Sequence, residues 1–299
     1  MTYSIVARDP DTGELGVAVQ SHWFSAGSIV TWARPGIGAV ATQANAEAAY
    51  GPRALSLLAR GVPAPDALAQ LVAADPGGHS RQVAVLDAAG GVGVHTGQSC
   101  IAHAGHITGE GVSCQANIMA SERVWPAMLD AFAGAAGPLT ERLLVALEAA
   151  EGEGGDLRGR QSAAILVVPA AGEPWHTVVS LRVEDHPQPL GELRRLAALH
   201  DAYALAGEAD ELLNAGRHEE AARLYLAASQ RAPANHELMF WAGLGMAQAG
   251  DLDAGTTKVK AAIALQPAWR ELLTRLPVGL APSAPAVLAR LDAEAGAGG

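Results

Sequence analysis

Apolar residues in this chain keep one period over a block of segments and then change it, and that block order is the strongest constraint on its fold. TYSIVARD (2–9) and ELGVAVQS (14–21) alternate polar and apolar residues, and Asp9-Pro10-Asp11-Thr12-Gly13 between them holds the Pro and Gly of a hairpin turn. GSIVTWARP and GIGAVATQAN follow as two more strand-type runs, parted by Pro35-Gly36. The spacing then shifts to three and four in ALSLLARG and PAPDALAQLVAADP, which predicts two helices. The order repeats: RQVAVLD, GVGVHTG and VSCQANIMA read as strands, SERVWPAMLDAFAGA and PLTERLLVALEAAEGEG as helices, SAAILVVPA and HTVVSLRVED as closing strands. Blocks of strands followed by blocks of helices predict antiparallel sheets with helices layered on them. The strands are apolar on both faces, as sheets covered on both sides require. The expected fold class is α+β, a four-layer αββα sandwich over residues 1–198.

A different pattern begins at residue 199. Asn214-Ala215-Gly216-Arg217 is echoed by Gln248-Ala249-Gly250-Asp251, and Gly216 and Gly250, Ala228 and Ala262, and Pro233 and Pro267 all keep an offset of 34 residues. Gly at a turn between helices, a small residue at a helix crossing and Pro at the repeat end resemble the tetratricopeptide repeat. Residues 199–299 are therefore expected to form an all-α, tetratricopeptide-like domain of at most two repeats. A short helix around Ala284–Leu291 and a disordered AGAGG tail should follow. The run Leu238-Met239-Phe240-Trp241 is unusually apolar, so self-association or docking of a protein partner through this arm is expected.

Charge narrows the function classes. The chain carries a net charge of -11, and both parts are acidic: 8 basic against 12 acidic side chains in residues 199–299, and 12 against 19 before them. A phosphate-binding surface needs clustered Lys and Arg, so no nucleic acid and no membrane partner is expected. No apolar run nears the roughly 18 residues of a membrane span, and no secretory leader pattern opens the chain, so a cytoplasmic location is expected. Cys100 and Cys114 form no CxxC and read as buried apolar residues. Lysine occurs only at Lys258 and Lys260, so chemistry in the first part must proceed without an ammonium side chain.

Four polar groupings stand out. Thr2 and Ser4 share one face of the first strand, as nucleophile and neighbour or simply as residues of a partly wet face. Ser113, Gln115 and Asn117 share a face of VSCQANIM, and could bind a substrate or an oxyanion, or line a sheet rim. In GGDLRGRQSAAILVV, Asp156, Arg158, Arg160, Gln161 and Ser162 lie in a Gly-bearing loop that feeds a buried strand, with Arg160 and Ser162 the pair facing one way; charges at a strand entrance also form structural ion pairs. His95, His103 and His106 near Cys100 lack the carboxylate or further ligand of a metal site, so neither metal nor cofactor is expected. HExxH, GxSxG, GxxxxGK and GxGxxG do not occur.

TYSIVARDPDTGELGVAVQS, TQANAEAAYGPRAL, AGHITGEGVSCQANIM, GGDLRGRQSAAILVV and RVEDHPQPLGELRRL together resemble the domain of unknown function 1028 family, grouped with the N-terminal-nucleophile (Ntn) hydrolases. The resemblance runs from Thr2 to about Leu199 and implies an Ntn-type αββα sandwich. It also implies an N-terminal nucleophile whose own α-amine is the base, and it supplies no substrate. An α-amine titrates near 8 against about 10.4 for Lys, which suits a segment without lysine. The expected function is hydrolysis of a small amide C–N bond, with Thr2 as nucleophile after removal of Met1. Asn117 and Gln115 would serve the oxyanion site, and Ser4, Arg160 and Ser162 would bind or orient substrate. The alternative is a catalytically inactive Ntn-fold scaffold whose helical arm recruits a protein.

Overall fold

The computed structural model describes residues 2–297. The chain divides into two compact units, up to Ala197 and from Ala198. The division falls inside a continuous helix, α6 (Pro189–Asn214), rather than in a linker.

The first unit is built on two antiparallel sheets. One has six strands in the order β10-β9-β2-β1-β8-β7, formed by β1 (Thr2–Arg8), β2 (Leu15–Ser21), β7 (Gly105–Gly109), β8 (Val112–Asn117), β9 (Ser162–Val168) and β10 (Val179–Val183). The other has four, β3-β4-β5-β6, formed by β3 (Thr31–Arg34), β4 (Gly38–Ala44), β5 (Arg81–Asp87) and β6 (Val92–Thr96).

Alternation along β1 sends its residues to two different cores. Tyr3, Ile5 and Ala7 join Met128, Phe132, Leu143 and Leu147 of α4 (Val124–Gly134) and α5 (Leu139–Gly152), while Val6 joins Val17, Val19, Ala39, Ala41 and Leu86 between the sheets. The outer face of the second sheet, Val40, Val83 and Val85, packs on Leu55, Leu58 and Leu68 of α2 (Tyr50–Leu58) and α3 (Ala64–Ala74). Each such fully buried aliphatic side chain contributes about 1.5–3 kcal/mol. Contacts therefore run from helices to sheet to sheet to helices.

Two elements depart from the sequence reading. GSIV is one helical turn, α1 (Gly27–Val30), because Ser162 Oγ accepts the Ala26 N–H at 3.1 Å and holds the chain folded before strand β3 begins. β7 was not anticipated: its GHITG carries Gly at both ends and a single aliphatic residue, and it lies at a sheet edge with one pairing partner.

The second unit is helical: the rest of α6, then α7 (His218–Arg231), α8 (His236–Gln248), α9 (Leu252–Leu265), α10 (Ala268–Arg275) and α11 (Ala284–Ala297). Gly216 and Gly250 sit in the α6–α7 and α8–α9 turns at φ +74° and +105°, conformations that disfavour any side chain. Asn235 and Asp251 cap α8 and α9 through Leu238 N–H and Ala254 N–H, both at 3.0 Å. Leu238 and Phe240 are buried, and Met239 and Trp241 are packed against the unit's own cores, with Phe240 stacked on Trp269 of α10. Of the apolar run, Leu238 and Phe240 are thus covered within the unit, and Met239 and Trp241 are partly covered. Ala295–Ala297 of the AGAGG tail continue α11 rather than forming a disordered end, while Gly298, Gly299 and Met1 lie outside the described residues.

Gly243 and Gly255 let α8 and α9 approach to backbone contact: a Cβ on Gly243 would stand 2.7 Å from Gly255 O and 2.9 Å from Val259 N. Backbone cannot yield as a side-chain tip can, so Gly243→Ala is expected to destabilise the helical unit by about 2 kcal/mol, read as an earlier helical melting transition. Among the described residues, no helix is long and apolar enough to cross a membrane.

Candidate functional site

Thr2 opens β1 at the end of the six-stranded sheet, where it pairs with Ser21, the last residue of β2, and with Asn117, the last residue of β8. Gln43 stands near the end of β4 in the facing sheet. These four residues, with Cys100 and Arg158, line a cavity of about 460 Å3. The Thr2 hydroxyl lies 2.9 Å from Ser21 Oγ.

The two residues that follow the wall amides are in left-handed backbone. Ala44 has φ +68° and Ile118 has φ +56°, and both line the same cavity. For a β-branched residue this conformation is disfavoured, at about 1–3 kcal/mol, and persists only where the surroundings over-determine it. Ile118 is held at both ends: its N–H donates to Ile101 O at 3.1 Å, and its carbonyl accepts from Leu157 N–H at 3.2 Å.

A buried amide network fixes which way the wall amides are turned. Gln82 Nε2 donates to Thr96 Oγ1 (2.9 Å) and to the carbonyls of Gly105 (3.1 Å) and Ala116 (2.9 Å), so its oxygen must point the other way. That oxygen accepts from Gln43 Nε2 and Asn117 Nδ2, each at 2.8 Å. Both nitrogens also donate to Thr2 O at 3.3 Å, and Gln43 Nε2 reaches Gln115 O at 3.2 Å. The remaining ends of Gln43 and Asn117 are carbonyl oxygens, and Gln43 Oε1 is buried with no partner. The amides beside Thr2 therefore offer acceptors. The Asn117 nitrogen expected to serve an oxyanion is committed in this structure to Thr2 O and Gln82.

The other expected site residues are not brought to the cavity surface. Gln115 donates to Ser4 Oγ at 2.7 Å and accepts from Ser113 Oγ at 2.8 Å, and all three are sealed between the sheets. Ser162 Oγ donates to Trp23 O at 2.7 Å and accepts from Ala26 N–H, so it shapes the wall segment 23–26 rather than touching a ligand. Arg160 pairs with Glu151 and Gln188. Glu151 also accepts the Tyr3 hydroxyl at 2.5 Å, and Tyr3 faces the helices, so Arg160 lies on the other side of the sheet from Thr2. Alternation failed here because β9 begins only at Ser162 and Gly159, at φ +105°, turns the chain between the two arginines. Arg158 is the cavity arginine. Its Nε and Nη2 grip buried Asp156 at 3.1 and 2.9 Å, and Asp156 in turn accepts His22 N–H at 3.0 Å.

The two cysteines differ. Cys114 faces the helix-side core, and burial alone pushes its thiol far above the ordinary range. Cys100 lines the cavity half-buried, and burial pushes its thiol up as well, so both are neutral thiols. His95, His103 and His106 bond separately to Gly78 O, Glu122 and Thr96, and the described residues contain no cluster of three metal-ligating side chains. Ser21, Gln43 and Gln82 are not among the residues the sequence singles out, and Arg158 is singled out only as one charge of the loop before β9. The available signal was a glutamine inside an otherwise apolar strand, in GAVATQA and in RQVAVLD, where a polar side chain must be buried with partners.

A structure similar to this chain is the crystal structure of protein SPO2555 from Silicibacter pomeroyi, itself described by family model DUF1028; the two share 33% identity and a TM-score of 0.61 over 66% of this chain and 84% of that one. No curated protein matches the chain. The model of the "Family of unknown function (DUF1028)" matches residues 2–193, which span both sheets, their helices and every residue of the Thr2 cavity, and the chain belongs to that family.

Proposed function

We propose that this protein is an Ntn-type amidohydrolase that cleaves a small amide C–N bond, with Thr2 as the N-terminal nucleophile once Met1 is removed. The observation that carries the reading is the Thr2 hydroxyl at the wall of a half-open cavity, with its main-chain carbonyl held from both sheets by Gln43 and Asn117. The helix–sheet–sheet–helix order of contacts supports an Ntn-type sandwich. Thr2 Oγ1 attacks the substrate carbonyl and forms the acyl C–O bond. The freed Thr2 amine takes the hydroxyl proton, with Ser21 Oγ beside it, and returns it to the departing amine as the C–N bond breaks. Water then hydrolyses the ester. Gln43 Oε1 and the Asn117 side-chain carbonyl accept N–H groups, which suits holding the Thr2 amine. The lack of lysine before residue 258 leaves no ammonium side chain to take the place of that amine.

For the second unit we propose a tetratricopeptide-like architecture, supported by the paired left-handed Gly216 and Gly250 and by the fully buried Ala228 and Ala262, each pair 34 residues apart. Intact-mass measurement of the native protein tests the hydrolase reading. Loss of Met1, with labelling of the protein by an electrophilic β-lactone, is expected. Full retention of Met1 would leave the Thr2 nitrogen acylated and non-basic, and would favour an inactive scaffold instead.

A further inference from the structure

The helical unit holds a second cavity, of about 500 Å3, formed by α6, α7, α8 and the segment before α11. Its wall is chemically one-sided. Tyr203, Tyr225 and Trp241 supply aromatic surface and Asp210 and Glu237 supply carboxylates, while the described wall residues include no lysine or arginine.

The carboxylates are held in place but not neutralised. The Tyr225 hydroxyl donates to Asp210 Oδ1, and the Tyr203 hydroxyl donates to Glu237 Oε2 at 2.6 Å. A phenol has a single proton to give, so each pair leaves the second carboxylate oxygen as an open acceptor. His218 Nδ1, in the same wall, is buried without a partner. Two carboxylates on an aromatic-walled cavity, Glu237 half-buried and Asp210 at its exposed side, call for a positive charge that brings N–H donors. A neutral occupant would strip water from the carboxylates and return at most uncharged hydrogen bonds, and an anion would be repelled. A cation also gains from the ring faces.

We propose that this cavity is a binding site for a small organic cation, a primary ammonium carried on an apolar or aromatic body. It shares no residue with the Thr2 cavity and does not depend on the hydrolase reading.

Titration calorimetry of the full chain with phenethylammonium, 2-phenylethanol and 3-phenylpropionate tests it, since the three share a body and differ in charge. The ammonium is expected to bind at least about tenfold more tightly than the alcohol, and the carboxylate not at all. Asp210→Asn with Glu237→Gln should weaken the ammonium about tenfold and leave the alcohol unchanged. If that double variant loses its helical circular dichroism, Glu237→Gln alone carries the comparison. Equal binding of alcohol and ammonium, an unchanged affinity in the variant, or no binding of the ammonium at about 10 mM would overturn the proposal. So would an arginine-rich peptide that binds more than about a hundredfold tighter than phenethylammonium, since the cavity would then belong to a protein-docking surface.

Discussion

Thr2→Ala is expected to abolish covalent labelling by a β-lactone probe and to lower amide hydrolysis by at least about 10^3-fold, because the substitution removes the only atom proposed to form the acyl bond. The fold should survive. The variant loses the contact with Ser21 Oγ, at about 1 kcal/mol, while the strand pairing of residue 2 with Ser21 and Asn117 is made by backbone and is retained. Tryptic mapping of the labelled native protein should place the probe on the Thr2 peptide. Labelling that survives Thr2→Ala would move the nucleophile, and Cys100 is then the residue to examine. Ser4 and Cys114 are sealed from the cavity, whereas Cys100 lines it.

Gln82→Leu is expected to be the most destabilising single substitution in the first unit, by roughly 4 kcal/mol, measured as a lowered urea midpoint with an unchanged slope. Gln82 is fully buried; its two N–H groups are shared among three acceptors and its oxygen accepts twice. Leucine fills the volume but removes every one of these contacts, leaving Gln43 Nε2 and Asn117 Nδ2 with only their longer bonds to Thr2 O and Gln115 O, and each buried hydrogen bond lost costs about 1 kcal/mol. The same change frees both amides to rotate, so it should also disorder the acceptors beside Thr2. A loss under about 1 kcal/mol would mean that the network is not the element that ties the two sheets together at this end.

The hairpin of β1 and β2, the antiparallel sheets and the helices that cover them were legible because they rest on periodicity, and periodicity is a local property of the chain. Tyr3, Ile5 and Ala7 could be assigned to one face and Thr2, Ser4 and Val6 to the other before any contact was known. The site was legible only in part. Thr2 and Asn117 were identified and do line the cavity. Ser4 and Gln115 share their strand faces but lie one step further in, where the sheets close on each other. Arg160 and Ser162 were judged by an alternation that does not extend beyond the first residue of β9.

What the sequence by itself determined, then, is what depends on neighbours two to four residues away: strand faces, helix spans, the turns at Gly216 and Gly250, and the absence of a lysine base near Thr2. What only the tertiary structure decided is which polar groups share a volume and which way each amide points. Gln82 lies 35 residues from Asn117 and 39 from Gln43, yet it sets the orientation of both. An amide reads the same from either end in sequence. Its direction is chosen by the Gly105 and Ala116 carbonyls and Thr96 Oγ1, three acceptors that only the folded chain places around one nitrogen.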